Sequence, residues 1–355
     1  MKALVLSGGA GTRLRPFSHS MPKQLVPVAN RPVLEHVLEN LRELAVREVG
    51  IVVGDWAAEI SETIGDGSRF GMRITYIPQR EPLGLAHCVR IAQPFLGEDD
   101  FVMYLGDNIL PEGVVRVAEE FAEHRPDAQI VVHKVLDPRA FGVAELAGDG
   151  SVERLVEKPL HPKSDLALIG VYFFTAAIHR AVAAIEPSAR GELEITTAIQ
   201  WLVSDGARVR ATEYEGYWRD TGRAEELLEC NRQLLTGMRP LIEGRVDAAS
   251  EVSGTVVIEK GACVIRSRIE GPAVVGAGTV IEESVIGPGT SVGRGCTVRR
   301  TRLADSIVMD GASITSVPSL RSSLIGRNAV VGAGASGEDH HRLVVGDDSR
   351  IEVAA

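Results

Sequence analysis

Over the first 235 or so residues, short apolar, β-branched runs alternate with longer stretches whose apolar positions recur at helical spacing. That alternation predicts a mostly parallel sheet covered by helices. The runs expected as strands are 3–6, 49–53, 73–77, 101–105 and 128–134. Between the first two, Val33, Leu34, Val37, Leu38 and Leu41 share one helical face, with Pro32 where the helix begins and Asn30 as the expected cap. A second helix is expected over 113–124.

From about Glu251 the period changes. Ile258, Val264, Ile269, Val275, Ile281, Ile286, Val292 and Val298 recur on a six-residue beat, and Gly276, Gly287 and Gly293 directly follow three of them. A hexapeptide beat marks a parallel β-helix: each short flat strand turns one aliphatic side chain inward, and Gly or small polar residues take the corners. The beat shortens to five residues at Ile269 and at Ile286, and it fades after Asp305. A β-sandwich is the competing reading, but its turn signals recur at wider intervals. The stretch SGEDHH at 336–341 interrupts the pattern and reads as a loop. The expected organisation is an α/β domain over 1–240 followed by a β-helix domain over 241–355.

Composition narrows the partners. A net charge of −10 over 355 residues disfavours a broad basic surface for nucleic acid, while leaving room for a local basic pocket that takes phosphates. No apolar run approaches the length of a membrane span, and the opening MKALVL is too short for a secretory apolar region. Cys88, Cys230, Cys263 and Cys296 are scattered without CxxC spacing, so neither a zinc site nor a disulfide framework is expected, and a reduced cytoplasm fits.

The chemistry starts directly after the first strand, at SGGAGTRL (7–14). Glycines at a strand's carboxyl end let backbone N–H groups approach a phosphate chain, in the crevice where open α/β sheets bind ligands. This loop is neither a P-loop, since no Gly-Lys-Ser/Thr follows, nor GxGxxG, since Leu14 stands where the last Gly would be. Arg13 within it and Lys23 in MPKQL (21–25) are cations able to neutralise a triphosphate. Asp107 follows the 101–105 run and is expected at the same sheet edge, where its hard carboxylate oxygens suit Mg²⁺.

The GGxGTRL…PKQL set closely resembles the nucleoside-diphosphate-sugar pyrophosphorylases, most of all their glucose-1-phosphate thymidylyltransferase group in its long form. The resemblance continues in the family's order through GDGS (65–68), PLGLA (82–86), LGDN (105–108), GVAE (142–145), EKP (157–159), RGELEIT (190–196) and WRDTG (218–222), and so spans nearly all of 1–230. It implies a Rossmann-like nucleotidyltransferase domain followed by a left-handed parallel β-helix. It further implies transfer of a thymidylyl group from dTTP to glucose-1-phosphate, with release of pyrophosphate, for deoxysugar synthesis. UTP-dependent transfer is the alternative within the family.

Residue by residue, the resemblance implies nucleotide binding by Gly8, Gly9, Gly11, Gln79 and Gly84, with Gln79 and Gly84 reading the base. It places Leu85, Phe141, Gly142, Glu157, Leu168 and Tyr172 at the sugar, and Lys158 on the sugar phosphate. Arg13 and Lys23 go to the triphosphate, and Asp107 with Asp220 to Mg²⁺. The chain departs from the group at Phe141, where a Tyr is usual, and at His87, where a Gln is usual beside the base-reading loop.

Two readings of other classes are open to the same fold. One is a non-catalytic regulatory subunit, against which the complete set Arg13, Lys23, Asp107, Lys158 and Asp220 argues. The other is an acyltransferase in the β-helix, for which His340 and His341 are the available bases. The repeats are expected to assemble the chain into a homo-oligomer.

Overall fold

The computed structural model describes residues 1–9, 11–334 and 343–354. They form two compact units by contact: 1–9 with 34–219, and 10–33 with 220–355. The sequence division at 240 follows the change of period, whereas this grouping follows packing. Residues 10–33 and 220–240 pack with the β-helical residues.

In the first unit the predicted strands form as β1 (Lys2–Ser7), β2 (Glu48–Val53), β3 (Arg73–Pro78), β4 (Phe101–Leu105) and β5 (Ala128–Lys134). They are joined by β6 (Gly142–Leu146), β7 (Val152–Glu157), β8 (Leu166–Phe174) and β9 (Val209–Glu213). The sheet runs β7-β6-β8-β4-β1-β2-β3, with β5 beside β8 and β9 beside β5. Strands β3, β2, β1 and β4 are mutually parallel, and β8 lies antiparallel to β4 and β5. The chain goes outward from β1 through β2 to β3 and then returns to the other side of β1 as β4. That reversal between β1 and β4 is where an open α/β sheet leaves a crevice at its carboxyl edge.

Helices α1 (Val33–Glu43), α2 (Ala57–Ile64), α3 (Leu85–Leu96), α4 (Val115–His124), α5 (Ala177–Ala184) and α6 (Ile195–Ser204) accompany the sheet. The apolar face read for α1 is fully buried at Leu34, Val37, Leu38 and Leu41. Asn30 does not cap it. It sits at φ +60° in the turn between the short strands Pro27–Val28 and Arg31–Pro32 and spends its amide elsewhere, donating to Val292 O at 2.7 Å. Pro32 belongs to that hairpin, so α1 begins one residue later.

In the second unit the repeat builds three parallel sheets of seven, seven and five strands, consistent with a left-handed β-helix. Ile258 registers with Val275, and Val275 with Val292; Val264 with Ile281, and Ile281 with Val298; Ile269 with Ile286. All eight of these residues are buried in one apolar core. The five-residue steps are therefore regular: both fall at the passage into the same sheet, the five-stranded one. The beat does not end at Asp305, because Val308, Ile314, Leu320, Ile325 and Val331 continue the core. The intervening coil is one residue shorter, pairing Val292 with Val308 and Val298 with Ile314, and this displaces the beat.

The small polar corners form a ladder. Ser284 N–H donates to Ser267 Oγ at 3.0 Å and Thr301 N–H to Ser284 Oγ at 3.2 Å, each hydroxyl answering a buried amide of the next coil. At Gly276 the reason for glycine is space, since a Cβ there would stand 2.5 Å from the carbonyl carbon of Gly293 on the following coil. The stretch 336–341, with His340 and His341, lies outside the described residues.

Helix α7 (Ala224–Thr236) ties the 10–33 segment to these coils. The fully buried Asn231 accepts from Ala29 N–H at 2.8 Å and from Ser291 Oγ–H at 2.6 Å, and donates to Gly289 O at 2.8 Å. Arg327 also donates to Ser20 O at 3.2 Å.

Candidate active site

The ends of four parallel strands assemble the first part of the site. β1 gives way to Gly8 and Gly9, and β4, registered with it at Leu6 and Leu105, gives way to Gly106 and Asp107. Gly106 N–H donates to Leu6 O at 2.9 Å, which keeps the two exits side by side. β3 is followed directly by Gln79, whose N–H donates to Val53 O at 2.8 Å. The Gln79 side chain reaches back over the glycine loop: its Oε1 lies 2.9 Å from where a Cβ on Gly8 would be. Gly8, Gln79 and Asp107 thus share one carboxyl edge. Asn108, next to Asp107, is buried and accepts from Trp218 Nε1–H at 2.8 Å.

Gly84 stands at the start of α3 with φ +102°, and a Cβ there would come 2.5 Å from Leu193 O, so only glycine fits. Leu85 opens the helix and packs against the core of the sheet.

A second cluster forms where β6 and β7 pair, with Gly142 opposite Glu157. A Cβ on Gly142 would meet Thr196 Oγ1 at 2.8 Å, Glu157 Oε2 at 3.3 Å and Leu168 Cδ2 at 3.5 Å. Glu157 is held on both oxygens: Thr196 Oγ1–H donates to Oε2 at 2.7 Å, and Arg190 Nη2 and Lys158 Nζ approach Oε1 at 3.3 and 3.6 Å. Lys158 takes φ +43°, its N–H bonded to Phe141 O at 2.9 Å. Tyr172 lies buried and stacked on Phe174, its phenol pushed up from the usual range by burial first and by the Glu157 charge second. Phe141 packs edge-on against Trp218, with ring centres 5.4 Å apart.

The second unit carries Gly11, Arg13, Lys23 and Asp220. Gly11 turns at φ +62°, and a Cβ there would lie 3.4 Å from Lys23 Cβ, so the glycine loop and the lysine segment pack together. Around Gly222, a Cβ would come 3.3 Å from Arg13 Nη2, 3.4 Å from Asp220 Oδ2 and 3.4 Å from Glu226 Oε2. Glu226 Oε2 is buried without a hydrogen-bond partner. Burial, then the Asp220 charge, raises the Glu226 carboxyl above its usual range, while Arg223 and Arg13 pull it down. An orphaned carboxylate oxygen beside a second carboxylate is donor chemistry for a hard cation. Among the described residues no group of three or more His, Cys, Asp and Glu side chains gathers as a metal cage. The carboxylate oxygens of Asp220 and Glu226 are hard ligands of the kind Mg²⁺ takes, one or two at a time, with phosphates and water.

Of the residues expected at the sugar, Gly142, Glu157 and Leu168 lie together, with Tyr172 near enough for the Glu157 charge to act on its phenol, while Phe141 adjoins Gly142 and packs on Trp218, and Leu85 opens α3. Gly8, Gly9, Gln79 and Asp107 gather at the sheet edge, and Arg13 with Asp220 around Gly222. The roles of Arg190, Thr196 and Glu226 were not read from the sequence. RGELEIT was visible as a motif, but what its Arg and Thr grip is a tertiary fact. The four cysteines are free thiols, and no helix among the described residues is long and apolar enough to cross a membrane.

The family model for nucleotidyl transferase matches residues 2–237. Over all 355 residues the chain is 54% identical to a glucose-1-phosphate thymidylyltransferase of Streptomyces griseus, covering 100% of both chains. It is 53% identical to that of Streptomyces antibioticus, over 99% of both. Among solved structures it superposes with a TM-score of 0.62 on a protein described as a candidate glucose-1-phosphate thymidylyltransferase from Bacillus anthracis, in complex with sucrose. The two are 32% identical, over 66% of this chain and 94% of that one. On these matches the chain belongs to the nucleotidyl transferase family.

Proposed function

We propose that the protein transfers the thymidylyl group of dTTP to glucose-1-phosphate, giving dTDP-glucose and pyrophosphate, a product suited to deoxysugar synthesis. The observation that carries the reading is the convergence of Gly8, Gln79 and Asp107 at one carboxyl edge of the sheet. The full-length identity to two thymidylyltransferases supports the choice of substrates.

In this reading an oxygen of the sugar phosphate attacks the α-phosphorus in line, and the bond to the bridging oxygen breaks as pyrophosphate leaves. No protein nucleophile is needed. The barrier is chiefly the repulsion between two polyanions and the loss of alignment, which fixed cations and N–H groups reduce. Backbone N–H groups at Gly8, Gly9 and Gly11, with Arg13 and Lys23, take the triphosphate and its leaving group. Lys158 takes the attacking phosphate. Gln79 and Gly84 read the base, while Leu85, Phe141, Gly142, Glu157, Leu168 and Tyr172 form the sugar pocket. Glu157, oriented by Thr196 and Arg190, accepts hydrogen bonds from sugar hydroxyls. Asp107 and Asp220 would hold Mg²⁺, and the ion would supply charge neutralisation at the phosphates.

Asp107→Asn tests the assignment, because it keeps shape and removes charge. Pyrophosphate release at limiting Mg²⁺ is expected to fall by about a hundredfold or more, with unchanged circular dichroism and melting temperature. Undiminished turnover would remove Asp107 from the metal.

A further inference from the structure

The base-reading position has a neighbour that can set which way it faces. Gln79 Nε2 lies 3.0 Å from Nδ1 of His87, two residues into α3, while Oε1 turns the other way, over Gly8. An amide is ambiguous by itself, since either end can point at a ligand. A partner that can only accept removes the ambiguity. Since it is the amide Nε2 that faces Nδ1, Nδ1 is the acceptor and the neutral imidazole carries its proton on its own Nε2; Gln79 then presents N–H to the ring and leaves its oxygen free. The buried thiol of Cys88, which donates to Gly84 O at 3.5 Å, also borders the Gln79 side chain: burial pushes it up to about 12 while a hydrogen bond from Gln79 draws it down, so the neutral sulfur sits on the amide's N–H side together with His87.

Resting on the reading that Gln79 faces the base, we infer that His87 is a positioning residue that locks the Gln79 amide with Oε1 outward, making this position an acceptor that selects pyrimidines with a ring N–H. Thymine and uracil carry that N–H at N3, and cytosine presents a lone pair there. The lock is a specificity device against cytosine nucleotides, and it does not distinguish thymine from uracil.

The device has a pH limit. Among the described residues the charges that bear on His87 are Arg90, on the same helix, and Glu81, in the loop before it. Burial and then Arg90 lower the imidazole below its ordinary range, with Glu81 acting the other way. At neutral pH the ring is uncharged and the lock holds. In acid, Nδ1 gains a proton, donor faces donor, and the amide turns its N–H groups toward the base.

The experiment is steady-state pyrophosphate release by the full chain with dTTP and with dCTP, for wild type, His87→Leu, His87→Gln and Gln79→Leu. In His87→Leu the ratio of kcat/KM for dTTP over dCTP should fall about tenfold, through KM for the nucleotide and not for glucose-1-phosphate. His87→Gln, whose amide oxygen can accept, should restore the ratio. Wild type should show a rise in KM for dTTP as pH drops below the imidazole range, and His87→Gln should abolish it. If His87→Leu leaves the ratio unchanged while Gln79→Leu lowers it, the inference is overturned and base reading by Gln79 stands. If Gln79→Leu itself leaves the ratio unchanged, base reading fails, and the inference with it.

Discussion

Glu157 and Glu226 are both carboxylates beside an arginine, yet their surroundings set them to different tasks. Glu157 has Thr196, Arg190 and Lys158 around its two oxygens, so its carboxylate is held in one orientation. Glu226 shares its corner with Asp220 and has one oxygen buried without a partner. Its folded pKa is raised, so proton binding favours the fold: the stabilisation is complete below the unfolded pKa and is lost as pH rises through the folded one. At neutral pH and without a cation, the native state therefore carries an unfavourable charge. Glu226→Gln should melt a few degrees above wild type at pH 8, with the advantage vanishing near about pH 4. Scanning fluorimetry across pH in metal-free buffer checks this, and equal melting at pH 8 would contradict it.

Among the elements, the most consequential contact is that between α7 and the hairpin Pro27–Val28/Arg31–Pro32. That hairpin ends the segment carrying Arg13 and Lys23, and Asn231 holds it by one amide that also grips the coil at 289–291. Asn231→Ala strips acceptors from the Ala29 N–H and the Ser291 hydroxyl, and a donor from Gly289 O, all in a buried place. Leaving such groups unsatisfied costs about 1–3 kcal/mol each where they cannot relax, so a loss of about 2–4 kcal/mol in urea unfolding is expected. Asn231→Asp keeps the acceptors, but it buries a charge and loses the donor, so it should not rescue the loss. Wild-type stability in Asn231→Ala would show that the hairpin is held elsewhere.

Across the whole molecule, what could be read from the sequence follows the reach of the signal. Strands β1 to β5 and the face of α1 are local periodicities and appeared where expected. The inward residues from Ile258 to Val298 were legible for the same reason, and the beat was lost where one coil shortened by a residue. Asn30 misled because a polar residue just ahead of a helical pattern looks like a cap. Its true partner is 262 positions away along the chain. The grouping of 10–33 with the β-helix, and the grips of Thr196 and Arg190 on Glu157, depend on such distant pairs and leave no local trace. The glycine loop and the charged residues stand out in the sequence because they fall in short motifs, and the chemistry proposed for them is read from those motifs.

The central claim is nucleotidyl transfer from dTTP to glucose-1-phosphate, and a substrate matrix tests it most directly. Purified full-length protein with Mg²⁺ is given dTTP, UTP, dCTP, ATP or GTP, each with glucose-, galactose- or mannose-1-phosphate, while pyrophosphate is followed and the sugar nucleotide identified by mass. The account predicts that dTTP with glucose-1-phosphate gives the highest kcat/KM, with one dTDP-glucose formed per pyrophosphate. Pyrophosphate release from dTTP that does not depend on a sugar phosphate, or dTTP with glucose-1-phosphate among the poorest pairs, would contradict it.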